Sequence, residues 1–454
     1  VVRGSPPYVP AQADMVHCLG WGDGVVRRIL FTFIAVPILI YVGWLAFQPA
    51  SHDQTAIIGG YLSEDGQLFV FSQAADNCLR FVSEDGEAAR LCRNRADEYI
   101  GATYLDGQGP ENVRATFSSS SVSLSWDSGR TLSGARSAIE MTDAVFASGG
   151  VELFGQLLAP KTESDLNLAV IVQGSSRRSA VLRLREQHFL AARGVAAFVY
   201  DKRGTGRSLG DYTQDFDLLA SDAAAALQTA QALLSDRGAA SGFVGLSQGG
   251  WVAPLAAQGA DADFVVIGYG LAVSPAEEER AQITESIAAA GFDDAAVSLA
   301  GDLADETVAL AGADFASSTE RYEGIKRAAS SQGILDSLPD DSITGQIAAY
   351  PVGAVRWLWR FYDVDTSWFH DAGSIIEDLK IPQLWLIGLR DQEAPPGRTL
   401  EVLRATQQTN PSLHVATFKT AGHGMIERPE GRDHPRERYA ERYIPTLVEF
   451  VKSQ

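Results

Sequence analysis

Apolar residues fall along the chain in three successive patterns, and each predicts a different kind of element. Over residues 29–47 the run Ile-Leu-Phe-Thr-Phe-Ile-Ala-Val-Pro-Ile-Leu-Ile-Tyr-Val-Gly-Trp-Leu-Ala-Phe contains no charge. As a helix it is about as long as the hydrocarbon core of a bilayer requires. Over 55–137 the apolar residues come in short, partly alternating runs: Gln67-Leu68-Phe69-Val70-Phe71, Leu79-Arg80-Phe81-Val82, and Val122-Ser123-Leu124-Ser125-Trp126 before Asp127-Ser128-Gly129. That is the pattern of strands and turns. From 143 onwards, after two alternating strands joined at Gly149-Gly150, wholly apolar runs alternate with helical ones. Strands are predicted at 168–173, 196–201, 243–246, 264–269, 383–388 and 414–418, and helices at 180–193, 216–235 and 248–258. Strand and helix in this rhythm predict a mostly parallel sheet covered on both faces, with the chemistry at the carboxyl ends of its strands.

Charge orients the first segment. Arg27 and Arg28 directly precede the 29–47 run, and the next Lys or Arg is Arg80. This asymmetry predicts a cytoplasmic tail over 1–28, a transmembrane anchor over 29–47, and a remainder exported to the periplasmic or extracellular side. Tyr41 and Trp44 lie near the outer end, where amphipathic aromatics anchor. Two alternatives stand beside the anchor. A cleaved signal peptide has a shorter apolar core and a small-x-small cleavage site, where this chain has Gln48-Pro49-Ala50. A buried soluble helix would show a second, polar face. The chain begins with Val, and Met15 follows a Pro-rich stretch, so the residues before Met15 read as a start-site artefact.

The 55–137 segment is expected to be a small β-rich domain. The tetrapeptide Ser-Glu-Asp-Gly occurs at 63–66 and again at 83–86, which suits successive hairpin turns. Cys78 and Cys92 flank the second turn almost symmetrically, which favours a disulfide over two free thiols in an oxidising compartment. With Cys18 they make three cysteines, without metal-ligand spacing. No catalytic constellation is visible in this domain.

Chemistry enters at Gly245-Leu246-Ser247-Gln248-Gly249-Gly250-Trp251. A buried strand, a glycine-flanked serine and a helix start describe a nucleophile elbow, with one hydroxyl at the apex of a tight turn. A serine hydroxyl is a weak nucleophile at neutral pH and needs an imidazole to take its proton, which in turn needs a carboxylate to hold its tautomer. The strand at 383–388 ends at Arg390-Asp391, and that at 414–418 leads into Ala421-Gly422-His423-Gly424. The order Ser247, Asp391, His423 suits this chemistry. Glu393 competes with Asp391 for the acid; His414, within an alternating strand, and His434, in a charged stretch, compete with His423. For the oxyanion, the expected donors are the backbone N–H of Gln248 and, from the loop Gln173-Gly174-Ser175-Ser176, that of Ser175.

These landmarks, with Tyr200-Asp201-Lys202-Arg203-Gly204-Thr205-Gly206-Arg207-Ser208 and Ala272-Val273-Ser274-Pro275-Ala276-Glu277, resemble the α/β-hydrolase superfamily. Within it they resemble the bacterial esterase and prolyl-oligopeptidase-like branch, over about 143–453. The resemblance implies an α/β-hydrolase domain over 143–454 with an inserted helical cap at 271–379, and no cofactor or metal. Family members usually carry His-Gly where this chain has Gln173-Gly174, which alters how the oxyanion loop is positioned. The Asp201-Lys202-Arg203-Gly204 turn resembles a scaffold feature. Tyr350, Trp357, Trp359, Phe361, Tyr362, Trp368 and Phe369 in the cap either pack it onto the body or line an apolar acyl pocket.

A net charge of −20 argues against a nucleic-acid partner. The expectation is a membrane-anchored serine hydrolase that cleaves a small-molecule carboxylic ester through an acyl-enzyme. Alternatives are a peptidase or amidase, a thioesterase, or an anchored binding protein on a hydrolase fold. The 55–137 domain is too short for the propeller of a prolyl oligopeptidase.

Overall fold

The structure, a computed structural model, describes residues 54–454 apart from 75–77, 95–97, 104–108, 163, 363 and 429–436. The expected tail and transmembrane segment, Cys18 and His434 lie outside the described residues. Among the described residues no helix is long and apolar enough to cross a membrane.

The N-terminal β-rich segment is a closed barrel. Its eight strands are β1 (Gly59–Leu62), β2 (Leu68–Gln73), β3 (Cys78–Ser83), β4 (Ala88–Arg93), β5 (Tyr99–Ala102), β6 (Val113–Phe117), β7 (Ser121–Trp126) and β8 (Thr131–Arg136). Each pairs antiparallel with the next, and β1 pairs with β8 through Tyr61 and Leu62. Closure leaves no sheet edge exposed to pair with another chain. Strand β7 shows the logic, with Val122, Leu124 and Trp126 buried and the serines between them exposed. The interior is filled by aromatic rings, among them Tyr61, Phe69, Phe71, Phe81 and Phe117, with Phe71 and Phe117 edge to face at 4.9 Å. The barrel interior is therefore a packed core. β2 is apolar on both faces because Leu68 and Val70 point outward into a second core shared with Phe189 and Leu190.

Both Ser-Glu-Asp-Gly segments are hairpin turns, closed by Gly66 N–H to Ser63 O and Gly86 N–H to Ser83 O at 3.1 and 2.9 Å. They meet on one cation: Arg193 donates to Gly66 O at 3.3 Å and to Glu84 Oε1 at 2.8 Å. The β3–β4 register sets Cys78 opposite Cys92, and the two are joined in a disulfide. Closing a loop of that size removes denatured-state freedom equivalent to about 3 kcal/mol.

The second domain is built on an eight-stranded sheet. Its strands are β9 (Ile139–Ser148), β10 (Val151–Pro160), β11 (Leu166–Val172), β12 (Ala196–Tyr200), β13 (Gly238–Leu246), β14 (Phe264–Gly268), β15 (Gln383–Gly388) and β16 (Leu413–Phe418), in the order β16-β15-β14-β13-β11-β12-β10-β9. Only β9 with β10 and β10 with β12 pair antiparallel; the rest are parallel. Leaving β11, the chain runs to β12 on one side and then crosses to β13 on the other. The ends of β11 and β13 thus form the switch point at which open sheets place ligands.

Helices α1 (Ala180–Arg183) and α2 (Glu186–Ala192) occupy the stretch read from sequence as one helix. The break at Leu184, whose backbone is extended, sends Arg185 and Glu186 into the interior as an ion pair at 3.1 Å. Helix α3 (Phe216–Leu234) and α4 (Gly249–Gly259) cover one face of the sheet through Leu219, Leu227, Trp251 and Val252. The other face is covered by α2 with the C-terminal helix Tyr443–Lys452.

After β14 come α5 (Pro275–Ala289), α6 (Asp294–Ala311), α7 (Glu320–Ser331), α8 (Ile343–Ala348) and α9 (Val352–Tyr362). They close around a core of their own that includes Ile283, Leu303, Phe315, Tyr322 and Trp359. Helix α10 (Ala372–Asp378), placed in the cap on sequence grounds, instead buries Ala372 and Ile376 in the body. Helix α11 (Pro396–Thr409) and α12 (Tyr443–Lys452) complete the domain.

Candidate active site

The elbow forms because two of its positions leave no space for a side chain. A Cβ on Gly245 would lie 2.1 Å from Gly249 O, and one on Gly249 would lie 2.3 Å from Val172 O. Between them Ser247 takes φ +52°, a left-handed conformation that costs a non-glycine residue roughly 1 kcal/mol or more. Ser247 N–H donates to Gly268 O at 3.0 Å, and Gly250 N–H donates to Ser247 O at 2.7 Å, which hold the turn.

The structure brings Ser247, His423 and Asp391 into one hydrogen-bonded line. His423 Nε2 is 3.0 Å from Ser247 Oγ, and Nδ1 is 2.9 Å from Asp391 Oδ2. Asp391 is buried, and its Oδ1 accepts the backbone N–H groups of Glu393 at 3.0 Å and Ala394 at 2.8 Å. One carboxylate oxygen is thereby committed to the backbone and the other to the imidazole. The His423 loop is held by Arg185, which donates to Gly424 O at 3.3 Å and lies over the Tyr439 ring, while Tyr269 meets the imidazole edge-on at 5.2 Å.

Burial is the largest single influence on His423 and opposes its charged form. The hydrogen bond and charge of Asp391, with the charge of Glu393, outweigh it and raise the imidazole above its ordinary pKa of 6.5. Glu393 is not the partner of Nδ1: its Oε2 stands 3.7 Å from Nε2, the nitrogen that faces Ser247, and its side chain is 63% exposed against 3% for Asp391. His414 is exposed on β16. Among the described residues the N–H groups of Gln248 and Ser175 donate to no protein acceptor. Gln248 follows Ser247 in the chain, and Gly174 lies against that serine, since a Cβ there would be 3.0 Å from Ser247 Cβ. A serine hydroxyl 3.0 Å from an imidazole nitrogen, beside two N–H groups without protein acceptors, is equipped for acyl transfer.

A family model described as the alpha/beta hydrolase family matches residues 170–442. The chain belongs to the alpha/beta hydrolase family. No curated protein matches it. Solved structures similar to this hydrolase include the esterase Pf2001 of Pyrococcus furiosus, at 16% identity over 69% of this chain and 93% of that one, with a TM-score of 0.41. Another is the acylaminoacyl peptidase of Pyrococcus horikoshii, at 14% identity over 84% of this chain and 55% of that one, with a TM-score of 0.44. A third is a putative aryl esterase from Burkholderia cenocepacia, at 17% identity over 69% and 98%, with a TM-score of 0.37.

Of two residues that hold the Gly174–Ser175 loop, sequence reasoning read Lys202 as scaffold and did not single out Tyr212. Lys202, two residues beyond β12, donates from Nζ to Gly174 O at 2.7 Å and to Gln248 Oε1 at 2.9 Å. Tyr212 donates from its hydroxyl to Ser175 O at 2.6 Å. They hold the loop by its carbonyls, whereas Gln173 is buried with its Nε2 unpaired. The available signal was position: Lys202 directly follows a strand at the carboxyl edge of the sheet. The neighbouring residues of that turn are structural, Asp201 accepting from Ser179 Oγ at 2.8 Å and Arg203 pairing with Asp222 at 2.6 Å.

The cap aromatics divide differently from either expectation. Trp359 is buried against Phe315 inside the cap, and Trp368 is half-buried beside the same core. Tyr350, Trp357, Phe361 and Phe369 lie on the surface. The described residues contain no group of three or more His, Cys, Asp or Glu side chains able to hold a metal ion.

Proposed function

We propose that this hydrolase cleaves carboxylic esters through an acyl-enzyme. The observation that carries the reading is the line Asp391–His423–Ser247 at 2.9 and 3.0 Å beside the free N–H groups of Gln248 and Ser175. Ser247 Oγ attacks the acyl carbon as His423 Nε2 takes its proton, and Asp391 stabilises the imidazolium. The two N–H groups receive the developing oxyanion. On collapse the alcohol leaves with the proton from His423, and water, activated by the same imidazole, releases the acid.

Esters are favoured over amides on leaving-group grounds. An amide nitrogen must be protonated as it departs, in a geometry that a peptide groove would have to impose. An ester oxygen is less demanding. A second reading, an amidase or peptidase, rests on Glu393, whose exposed carboxylate 3.7 Å from His423 Nε2 could receive the ammonium of an amine-bearing substrate. The test is kcat/KM on an aryl ester and an aryl amide that share one acyl group, each with and without a free α-amine. The ester without the amine is expected to be cleaved at least about 10²-fold faster than its amide. Amide values equal to or above the ester values would transfer the assignment to the second reading.

We also propose that the catalytic domain is anchored by residues 29–47 and faces the periplasm or exterior. Arg27 and Arg28 before that run support this orientation, and the Cys78–Cys92 disulfide suits an oxidising compartment. A reporter that works only outside the cytoplasm should be active when fused after Gln454. Activity of a cytoplasm-only reporter at that junction would reverse the topology.

A further inference from the structure

We propose that Lys202 is a positioning residue of the oxyanion hole, gripping the peptide that carries the Ser175 N–H and the side chain of Gln248 so that both donors are aimed and strengthened. This rests on the acyl-transfer reading above. The Gly174 carbonyl that accepts from Lys202 Nζ at 2.7 Å belongs to the same peptide as the Ser175 N–H. A peptide bond is planar and trans, so its N–H points opposite to its C=O. Fixing Gly174 O from behind therefore fixes the Ser175 N–H in front. Tyr212 holds the next carbonyl, Ser175 O, at 2.6 Å, so the loop is clamped at two consecutive oxygens. The second Lys202 contact, 2.9 Å to Gln248 Oε1, ties the same ammonium to the residue that supplies the other donor. A cation on a carbonyl also polarises the amide and makes its N–H a stronger donor.

Electrostatics give the contact a reason to be charged. Lys202 is 2% exposed, and the described partners of its ammonium are neutral: two oxygens, and the Tyr212 ring at 5.0 Å. A buried ammonium without a carboxylate is costly. Burial, and then the nearby Arg177 charge, lower its pKa to about 7. The missing negative charge arrives when the acyl oxygen becomes an oxyanion on the far side of the Gly174–Ser175 peptide. The ammonium and the oxyanion then stabilise each other in the transition state and not before, the condition for raising kcat rather than tightening ground-state binding. The groups facing Lys202 are Gly174 and Arg177 from the loop after β11, Gln248 from the elbow, and Tyr212 from the segment before α3.

The test compares the native protein with Lys202→Met and Lys202→Arg on an aryl ester across pH. Loss of an oxyanion donor lowers kcat by about 10²- to 10³-fold, and Lys202→Met is expected to lose about 10²-fold in kcat with KM nearly unchanged. Protonated Lys202 is the active form, so native activity should fall as pH rises through about 7. That limb should vanish in Lys202→Met. Lys202→Arg keeps its cation at every accessible pH and should restore most of kcat without the limb. Native kcat and an unchanged alkaline limb in Lys202→Met would overturn the proposal. If Lys202→Met does not fold, an Arg variant whose pH profile matches the native one overturns it equally. A native protein with no ester hydrolysis at all would instead sink the acyl-transfer reading, and this inference with it.

Discussion

Ser247→Ala is expected to lower kcat/KM on a short-chain aryl ester by about 10⁶-fold and to abolish covalent labelling by a fluorophosphonate. The size follows from how much of the chemistry passes through one oxygen. Without Oγ, His423 Nε2 has no hydroxyl at 3.0 Å to deprotonate, and Asp391 then orients a base with no nucleophile. What survives is whatever the Gln248 and Ser175 donors give to direct attack by water. The fold should persist. The turn is held by backbone bonds from Ser247 N–H to Gly268 O and from Gly250 N–H to Ser247 O, and alanine retains both. The decisive readout is labelling beside an unchanged melting temperature. A fluorophosphonate adduct that persists in a folded Ser247→Ala protein would place the nucleophile elsewhere.

The elbow was legible in the sequence because its constraint is local: two glycines where no Cβ fits, one residue at positive φ, and an apolar strand before them. Asp391 and His423 were legible as candidates because each follows the carboxyl end of a predicted strand, 383–388 and 414–418, where a parallel sheet collects its chemistry. Other features depended on contacts that a linear pattern does not encode. Lys202 reaches Gly174 and Gln248 across 28 and 46 positions. A run of hairpins reads the same whether the sheet stays open or closes, and closure rests on β1 meeting β8. Helical periodicity over 180–193 gave no sign of the break at Leu184, because Arg185 and Glu186 are polar residues that become buried only as a pair. For the cap aromatics, spacing names a helix but not its partner. On α9 the ring of Trp359 found the cap core while Trp357 and Phe361 were left outside, packed on each other at 5.8 Å.

Asp391→Asn should lower kcat/KM by about 10⁴-fold while leaving the fold almost intact, and the hydrogen bonds around the carboxylate say why. Oδ1 accepts two backbone N–H groups, from Glu393 and Ala394. In asparagine the amide oxygen must stay there, because an NH₂ group would face two donors. That turns the NH₂ toward His423 Nδ1, which now has to accept. The imidazole carries its proton on Nε2 instead, where it meets Ser247 Oγ as a donor and cannot take the hydroxyl proton. The turn bonds that hold residues 391–394 survive, so the melting temperature should move little. The pH profile supplies a second sign. Asp391 helps to hold the His423 pKa above 6.5, and only the neutral imidazole is a base, so the acid limb of the native enzyme should lie above that value. Removing the carboxylate charge lets burial dominate, and the limb should move to lower pH. Glu393→Gln is the control: its exposed side chain stands 3.7 Å from Nε2 without an oriented bond, and the variant should keep activity within a few-fold. Near-native activity in Asp391→Asn, with Glu393→Gln inactive, would transfer the acid's role to Glu393.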